Sequence, residues 1–290
     1  MKTMIATAVA SLALAGSAMA QAAAEPPQFR AVKIVLVGDS TTAVQGGWGP
    51  SFCGKHVMSA VACVNLARGG RSSGSYRAEG SWNVALSEMK SGGFVATYVL
   101  IQFGHNDQPG KPGRSTDLAT EFPVYLKRYV EEVRAAGATP VLLTPLTRRQ
   151  FKDGKLIRDL ELWAEATRKV AVETNTPLLD LHKLSADAVD AMGAAEATRF
   201  AQVPPSAEVL AAARTGTTIA AQPTTPAAAA AIASAPNPPQ QNNAAVEPMG
   251  AAKLSFDYTH LGEAGADYFA AMVTAGLAQA VPALRRDLIP

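Results

Sequence analysis

The sequence predicts an α/β protein built around a parallel sheet that is covered by helices on both faces. Short apolar segments alternate with segments of helical periodicity along most of the chain, which is typical of βαβ units. Polar residues able to do chemistry follow directly after several apolar segments, where sites lie in open α/β sheets. The 290 residues, 48% of them hydrophobic, are enough to bury one sizeable core.

Five apolar segments are predicted to be strands. The first ends at the stretch GDST, residues 38–41, and the third is continuously apolar over residues 98–101. Uniformly apolar strands are typical of sheets buried on both faces, and crossovers between parallel strands are almost always right-handed. The predicted strands are residues 32–37, 62–66, 96–103, 139–143 and 177–181.

Helical periodicity fills the intervals between these strands. Ser81 is expected to cap the second helix, and Gly137 is expected to end the third. The predicted helices are residues 51–60, 82–89, 117–136, 156–175 and 261–280.

Two segments that lack the strand–helix pattern set the boundaries of the predicted domain. Residues 1–20 read as a signal peptide, with a basic start, a short apolar run and Ala18-Met19-Ala20 before the cleavage site, so we expect a periplasmic or secreted protein. Residues 201–252 are rich in Ala and Pro and are predicted to be a flexible insertion. Residues 31–200 and 253–290 are then predicted to form one domain.

Composition excludes several classes of partner. The net charge is only +2, from 26 basic and 24 acidic residues, so no nucleic-acid partner is expected. The apolar run near the start is too short to span a membrane, so no membrane span is expected. The protein is expected to be a monomer. Cys53 and Cys63 suit an oxidising compartment, but the sequence fits both a bridge and two free thiols.

Three residues could form a nucleophile and its base. Ser40 follows the first strand, and Asp257 and His260 lie in the stretch DYTH just before the final helix. A serine nucleophile needs a histidine to take its proton and an acid to orient that histidine. Taken singly, each of these residues is also an ordinary turn or capping residue.

Two further residues could stabilise an oxyanion. Asn106, in the stretch GHND after the third strand, could donate its amide, and Gly70 would let a substrate oxygen approach the backbone N–H. The alternatives are a loop asparagine and a left-handed turn glycine.

The order Ser, Gly, Asn, Asp-x-x-His resembles the SGNH hydrolases, the GDSL esterase superfamily, although the first block here is GDST. Four longer stretches are similar to its rhamnogalacturonan acetylesterase branch: NLARGGRSSGSYRAEG, QFGHNDQ, TPLTRRQF and DYTHLGEAGA. The resemblance covers residues 33–182 and the chain from Asp257 through the last helix.

This resemblance implies a flavodoxin-like three-layer α/β/α sandwich with a five-stranded parallel sheet. It implies that Ser40 is the nucleophile, His260 the general base and Asp257 its orienting acid. The oxyanion donors would be the Ser40 and Gly70 amides and the Asn106 side chain. No metal or cofactor is implied. Asp39 and His105 are expected to stabilise loops.

The resemblance further implies a secreted serine esterase that removes acetyl groups from plant cell-wall polysaccharide, most simply rhamnogalacturonan or pectin. The alternatives are a deacetylase of xylan or a bacterial polymer, a broad short-chain carboxylesterase, and a non-catalytic carbohydrate-binding protein.

Two residues are candidates for substrate binding. Trp48 could stack on a sugar or fill a gap in the core, and Arg71 could pair with a uronate carboxylate or with Glu79. Arg148 and Arg149 follow the fourth strand at the same edge, where one could meet an acidic polymer, although surface arginines usually have no such role.

Overall fold

The computed structural model describes residues 30–219 and 254–290. Its centre is a five-stranded parallel sheet in the order β2-β1-β3-β4-β7, which confirms the predicted fold class. A short antiparallel hairpin, β5-β6, lies outside this sheet. The strands are β1 Val32–Gly38, β2 Val61–Asn65, β3 Ala96–Gln102, β4 Thr139–Leu143, β5 Phe151–Lys152, β6 Lys155–Leu156 and β7 Leu178–Leu179.

Helices occupy the crossovers and both faces of the sheet. They are α1 Gly49–Lys55, α2 Ser75–Ala78, α3 Ser81–Lys90, α4 Phe122–Ala135, α5 Glu161–Glu173, α6 Leu181–Ala197, α7 Ala207–Arg214 and α8 Glu263–Ala280. Short 3₁₀ helices follow α6 and α8, at Thr198–Phe200 and Pro282–Asp287.

Two hydrophobic clusters, one on each face, give the three layers. Alternate residues of β1 point to opposite faces, as the period of a strand requires. Ile34 and Leu36 pack with α1, α6 and α8, whereas Val35 and Val37 pack with α3, α4 and α5. The sheet is therefore buried on both faces, which explains why its central strands lack polar alternation.

The strand register places three loops at one edge. Gly38 at the end of β1 pairs with Gln102 of β3, and Gln102 pairs with Leu143 of β4. The GDST, GHND and TPLTRRQF stretches therefore leave the sheet side by side at its carboxyl edge. This is the edge at which open α/β sheets build their sites.

Several element boundaries differ from the predictions. α4 begins at Phe122 rather than residue 117, because Pro123 suits only the first turn of a helix and Asp117 caps the preceding turn. α5 begins at Glu161, since the chain before it forms the β5-β6 hairpin. Ser81 is the first residue of α3 and not its cap, because Gly80 occupies the cap position with φ +88°.

The most complete miss is α6, Leu181–Ala197, for which the sequence predicted no element beyond a fifth strand. β7 spans only Leu178–Leu179, since Asp180 already caps α6 by accepting a hydrogen bond from the Lys183 amide. The buried face of α6 includes His182, Ser185 and Ala186, so it carries little of the large apolar periodicity that marks a helix.

Part of the segment predicted to be a flexible insertion, residues 201–219, has defined structure. α7 forms within it, capped by Ser206, and buries Val209 and Ala213 against the core. Residues 201–219 thus pack with the domain rather than forming a flexible segment. The predicted signal peptide and residues 220–252 of the insertion lie outside the described residues.

Cys53 of α1 and Cys63 of β2 form a disulfide, with their Cα atoms 5.4 Å apart. The bond resolves the alternative that the sequence left open and ties α1 to the edge strand. Among residues 30–219 and 254–290, no helix combines the length and apolarity that a membrane crossing requires.

Candidate active site

Ser40 lies in a tight turn directly after β1. The Asp39 carboxylate accepts hydrogen bonds from the Thr41 amide at 2.9 Å and from the Thr41 hydroxyl at 2.8 Å. The Asp39 carbonyl accepts from the Thr42 and Ala43 amides at 3.2 and 3.0 Å. These bonds close the chain around Ser40 and direct its hydroxyl to the carboxyl edge of the sheet.

His260 reaches Ser40 from the far end of the chain. Its Nε2 lies 2.9 Å from Ser40 Oγ, and its Nδ1 lies 2.7 Å from Asp257 Oδ2. Asp257 Oδ1 accepts the Thr259 and His260 amides at 2.7 and 2.6 Å, so the same carboxylate folds the turn and orients the ring. Because a carboxylate only accepts, the Nδ1 proton is directed to Asp257 and Nε2 is free to accept from Ser40.

The surroundings keep Asp257 ionised. Partial burial raises the pKa of this carboxyl, but its hydrogen bonds to His260, Thr259 and the backbone outweigh burial and leave the pKa below its usual value. A carboxylate is what the imidazolium formed during proton transfer requires as its partner. The arrangement therefore has the partners needed to activate a serine hydroxyl.

The Gly69–Gly70 turn lies beside Ser40. A Cβ atom placed on Gly69 would be 3.7 Å from Ser40 Cβ, and the Arg68 amide donates to the Gly38 carbonyl at 3.0 Å. Within the described chain, the Ser40 and Gly70 amides donate to no protein acceptor. Two unoccupied amide donors near a nucleophile suit an oxyanion.

Asn106 is joined to the same turn. Its Nδ2 donates to the Arg71 carbonyl at 3.1 Å, which holds the amide group beside Gly70. The Asn106 side chain is nearly buried, at 7% exposure, and the amide has a second N–H. The structure thus brings together all the residues predicted for the nucleophile, its base and the oxyanion donors.

The sequence also matches a known protein family. A sequence model described as the GDSL-like lipase/acylhydrolase family matches residues 36–203, more than half of the chain. The chain belongs to the GDSL-like lipase/acylhydrolase family. Membership of this family makes it a carboxylic ester hydrolase, as the sequence predicted.

Two relatives from Bacillus subtilis are named as rhamnogalacturonan acetylesterases, the branch that the sequence of this chain resembles. The chain is 35% identical to a probable rhamnogalacturonan acetylesterase, YesY, over 52% of this chain and 71% of that protein. It is 33% identical to the rhamnogalacturonan acetylesterase RhgT, over 58% of this chain and 73% of that protein. The crystal structure of YxiM from the same organism shares the fold, with a TM-score of 0.56 and 20% identity over 88% of this chain and 57% of that one.

A second histidine supports the serine turn of this GDSL-family protein. His105 is buried, and its Nδ1 lies 3.2 Å from Asp39 Oδ2. Burial lowers the pKa of His105, so the ring is neutral at pH 7 and its Nδ1–H donates to the Asp39 carboxylate. His105 therefore orients a loop, which is the role expected for it from the sequence.

Trp48 does not line the site, and the prediction of sugar stacking at this residue is wrong. Its side chain is fully buried and packs edge-on against Phe52, with ring centroids 5.8 Å apart. Its indole N–H donates to Gln102 Oε1 at 3.0 Å, and Gln102 Nε2 donates to Thr41 Oγ1 at 2.6 Å. The ring thus supports the serine turn from beneath.

Arg71 is also buried, so it is not available to bind a uronate. Its Nε lies 2.8 Å from Glu79 Oε2, and Nη1 donates to the Gly69 carbonyl at 2.7 Å. This is the structural pairing that the sequence offered as the alternative, and it fixes the shape of the Gly69–Gly70 turn.

Two cations near the site were missed. Arg114 Nη1 lies 3.4 Å from the Gly70 carbonyl, and neither Arg114 nor the half-buried Lys111 has an ion-pair partner among the described residues. Burial and the like charges of Arg148 and Arg114 lower the pKa of Lys111. The loop KPGR, residues 111–114, shows two basic residues in the sequence, but only the fold shows that Arg114 lies over the Gly69–Gly70 turn.

Arg149 was treated as a surface residue, which is wrong, because its side chain is 1% exposed. It lies against the Asp257–His260 turn. Its neighbour Arg148 pairs with Asp159 and donates to Thr259 Oγ1, so it is also engaged.

Proposed function

We propose that this protein is an acetylesterase that removes acetyl groups from an acidic plant cell-wall polysaccharide, rhamnogalacturonan being the best fit. The observation that carries the proposal is the continuous hydrogen-bonded chain from Ser40 Oγ through His260 to Asp257, at 2.9 and 2.7 Å. The names of the two relatives, YesY and RhgT, support the acetyl group and the polymer.

The chemistry follows from this chain of contacts. Ser40 Oγ attacks the acetyl carbonyl while His260 Nε2 takes its proton, and Asp257 stabilises the imidazolium. His260 then protonates the sugar oxygen as it leaves, which produces an acetyl-serine. In the second step His260 takes a proton from water, the hydroxide attacks the acetyl-serine, and acetate is released as Ser40 regains its proton.

The negative oxygen of each tetrahedral intermediate needs donors already in place. The Ser40 and Gly70 amides and Asn106 Nδ2 are proposed to provide them. Arg71, through its bonds to Glu79 and the Gly69 carbonyl, holds the turn that presents the Gly70 amide.

An acidic polymer is favoured by the charge around the site. Arg114 Nη1 lies 3.4 Å from the Gly70 carbonyl, and Lys111 is near enough to Arg114 and Arg148 for their charges to lower its pKa. Neither cation forms an ion pair with a carboxylate among the described residues. Cations that the protein leaves unneutralised favour substrates with carboxylates and raise their local concentration. Rhamnogalacturonan carries a uronate in each repeat, whereas a xylan backbone is neutral.

The decisive experiment measures acetate release from acetylated rhamnogalacturonan and acetylated xylan, for the wild type, Ser40→Ala and the double variant Lys111→Gln/Arg114→Gln. We expect faster release from rhamnogalacturonan, none with Ser40→Ala, and a raised KM for this polymer alone in the double variant. The preference of the wild type for rhamnogalacturonan over xylan should weaken as salt is added, because salt screens the attraction between exposed charges.

Arg134→Gln is the matched control, since it removes a cation that donates to Asn175 and Thr176 at the opposite edge of the sheet. Release from xylan alone would move the substrate to another acetylated glycan, and equal rates on both polymers and on nitrophenyl acetate would indicate a broad carboxylesterase. No Ser40-dependent release from any ester would leave a carbohydrate-binding protein.

The proposed site of action is outside the cytoplasm, with the protein acting as a monomer. Supporting this are the signal-like residues 1–20 and the Cys53–Cys63 bond, since such bonds persist in oxidising compartments. N-terminal sequencing of the exported protein should begin at Gln21, and light scattering should give the mass of one chain. A cytoplasmic protein that retains its first residues would contradict the proposed location.

A further inference from the structure

Arg149 is a buried cation next to the base of the proposed triad. It lies in the loop after β4, and its side chain is 1% exposed. No described carboxylate lies within ion-pair distance of its guanidinium, although it senses the charge of Asp257. Burying an arginine without such a partner is costly unless its donors are used elsewhere.

The two terminal nitrogens of Arg149, Nη1 and Nη2, donate to one short segment, the Asp257-Tyr258-Thr259-His260 turn, while Nε has no hydrogen-bond partner among the described residues. Arg149 Nη2 donates to the Asp257 carbonyl at 3.1 Å and to the His260 carbonyl at 2.8 Å, and Nη1 donates to the Thr259 carbonyl at 3.2 Å. The Arg149 amide donates to the remaining carbonyl, that of Tyr258, at 2.9 Å. One residue therefore binds all four carbonyls of the turn that carries the base.

The turn has few other restraints on the position of its backbone. It belongs to no helix or strand, and its amides at positions 259 and 260 are bound within the turn by Asp257. Apart from the Ser40–His260 contact and the bonds from Arg149, Arg148 donates to Thr259 Oγ1, the Tyr258 hydroxyl donates to the Ile219 carbonyl, and Gly46 accepts the amide of the next residue, Leu261, at 2.8 Å. None of these binds a carbonyl of the turn.

The chemistry of guanidinium explains why arginine suits this position. Its planar fork carries several donors in fixed directions, so it can bind several carbonyls at once, whereas a lysine ammonium is a compact point charge on a flexible stem. We propose that Arg149 is a positioning residue: it holds the backbone of the Asp257–His260 turn in the position that brings His260 Nε2 within hydrogen-bond distance of Ser40 Oγ. This inference rests on the proposed triad but adds a residue that touches neither substrate nor the reacting atoms.

The experiment compares Arg149→Ala, Arg149→Lys and the control Arg134→Ala, with nitrophenyl acetate as substrate. Displacing a reacting group by about 1 Å can cost roughly 10²-fold, so we expect Arg149→Ala to lower kcat by about that factor. Because a small ester makes no contact with Arg149, its KM should stay within about twofold. Arg134→Ala removes a donor to a carbonyl at the opposite sheet edge and should have wild-type kcat.

Rescue separates positioning from a general loss of stability. Guanidinium chloride, at concentrations too low to unfold the protein, should restore part of the kcat of Arg149→Ala, and ammonium chloride at equal ionic strength should not. Labelling of Ser40 by a serine-directed phosphonate should be slower in Arg149→Ala than in the wild type. Guanidinium should restore the labelling rate together with kcat. In the wild type, the downfield proton resonance of a His260–Asp257 hydrogen bond should be present, and it should weaken in the variant.

If Arg149→Ala does not fold, Arg149→Lys provides the test, because it keeps the charge and the stem but not the fork. A folded Arg149→Lys with kcat lowered roughly tenfold or more would support the proposal. A folded variant of either kind with wild-type kcat, a loss not rescued by guanidinium, or failure of both variants to fold would overturn it. Ser40→Ala keeps the two proposals distinguishable, since full activity in that variant would contradict the triad itself.

Discussion

The two segments that meet at the active site are held in place by different forces. Ser40 is 8% exposed and continues directly from β1, so the hydrophobic packing of the central strand determines its position. Asp257 and His260 are each about one-third exposed and belong to no regular element. They depend on hydrogen bonds, chiefly those from Arg149 to their carbonyls.

This difference separates stability from activity in the two segments. Changes beneath the serine turn should cost folding free energy, because that turn is part of the core. Changes at Asp257, His260 and Arg149 should cost catalysis while the fold survives, because Asp257 and His260 are partly exposed and Arg149 binds only carbonyls of this turn. The core contacts of the segment come instead from the buried Tyr258 and Leu261. The predictions below test this contrast.

The largest effect should come from removing both reacting groups. Ser40→Ala and His260→Ala should each lower kcat by roughly 10⁶-fold, and the double variant should lose no more, because the residues act as a unit. The measurement is kcat on nitrophenyl acetate for each variant, with the melting temperature of each variant measured to show that it is folded. A double variant slower by the product of the single losses would show that the two segments act independently.

Asn106→Ala should lower kcat by roughly 10²–10³-fold, the usual loss for one oxyanion donor. Asn106 is joined to the Gly70 turn and lies on the serine side of the comparison. The KM for nitrophenyl acetate should change little, since the donor is needed most in the transition state. A raised KM with an unchanged kcat would assign Asn106 to substrate binding instead.

Trp48→Phe should cost stability rather than activity. It removes the donor to Gln102 Oε1 inside the core, and a buried acceptor left unpaired costs about 1–3 kcal/mol. Denaturant unfolding should show the loss, while the KM for acetylated polymer stays at the wild-type value. If the KM rose and stability did not fall, Trp48 would contact the sugar after all.

The smallest effect concerns acid stability. The pKa of His105 is lowered by burial, so below its ordinary value of 6.5 the unfolded chain binds more protons than the folded one. The free energy of unfolding should therefore fall as the pH drops below about 6.5. His105→Asn keeps an N–H donor for Asp39 but removes this titration, so its unfolding free energy should depend less steeply on pH.

Denaturant unfolding from pH 5 to pH 8 checks this, and parallel curves for the two proteins would contradict it. The buried His182, whose pKa burial also lowers, is present in both proteins and so cancels in the comparison.

The accuracy of the sequence predictions varied with the kind of force involved. Central strands were predicted within a residue or so, since β1, β3 and β4 are continuous apolar runs that only a doubly covered sheet accommodates. The start of α4 was missed because Asp117 and Pro123 are both typical of helix N-termini. The prediction began the helix at Asp117, whereas it begins at Phe122, next to Pro123. α6 was missed because its buried face includes small and polar residues.

The site followed the same division. Ser40, Gly70, Asn106, Asp257 and His260 were predicted because short stretches in the right order carry them. For Trp48 and Arg71 the sequence left two roles open, and for Arg149 it did not predict the observed role. Burial decides between such roles, and burial depends on residues far away in sequence. Trp48 is covered by the core of one sheet face, and Arg149 by a turn more than 100 residues further along the chain.

The sequence by itself determined the fold class, the family and the residues able to react, because apolar periodicity and short stretches of functional side chains are local properties. Only the tertiary structure decided which polar groups meet. It decided that Arg71 pairs with Glu79, one of the two alternatives that the sequence offered, and it placed Arg149 on four carbonyls of the histidine turn and Arg114 over Gly70. Such pairings depend on distances between elements that strand order and packing determine, so no stretch of sequence contains them.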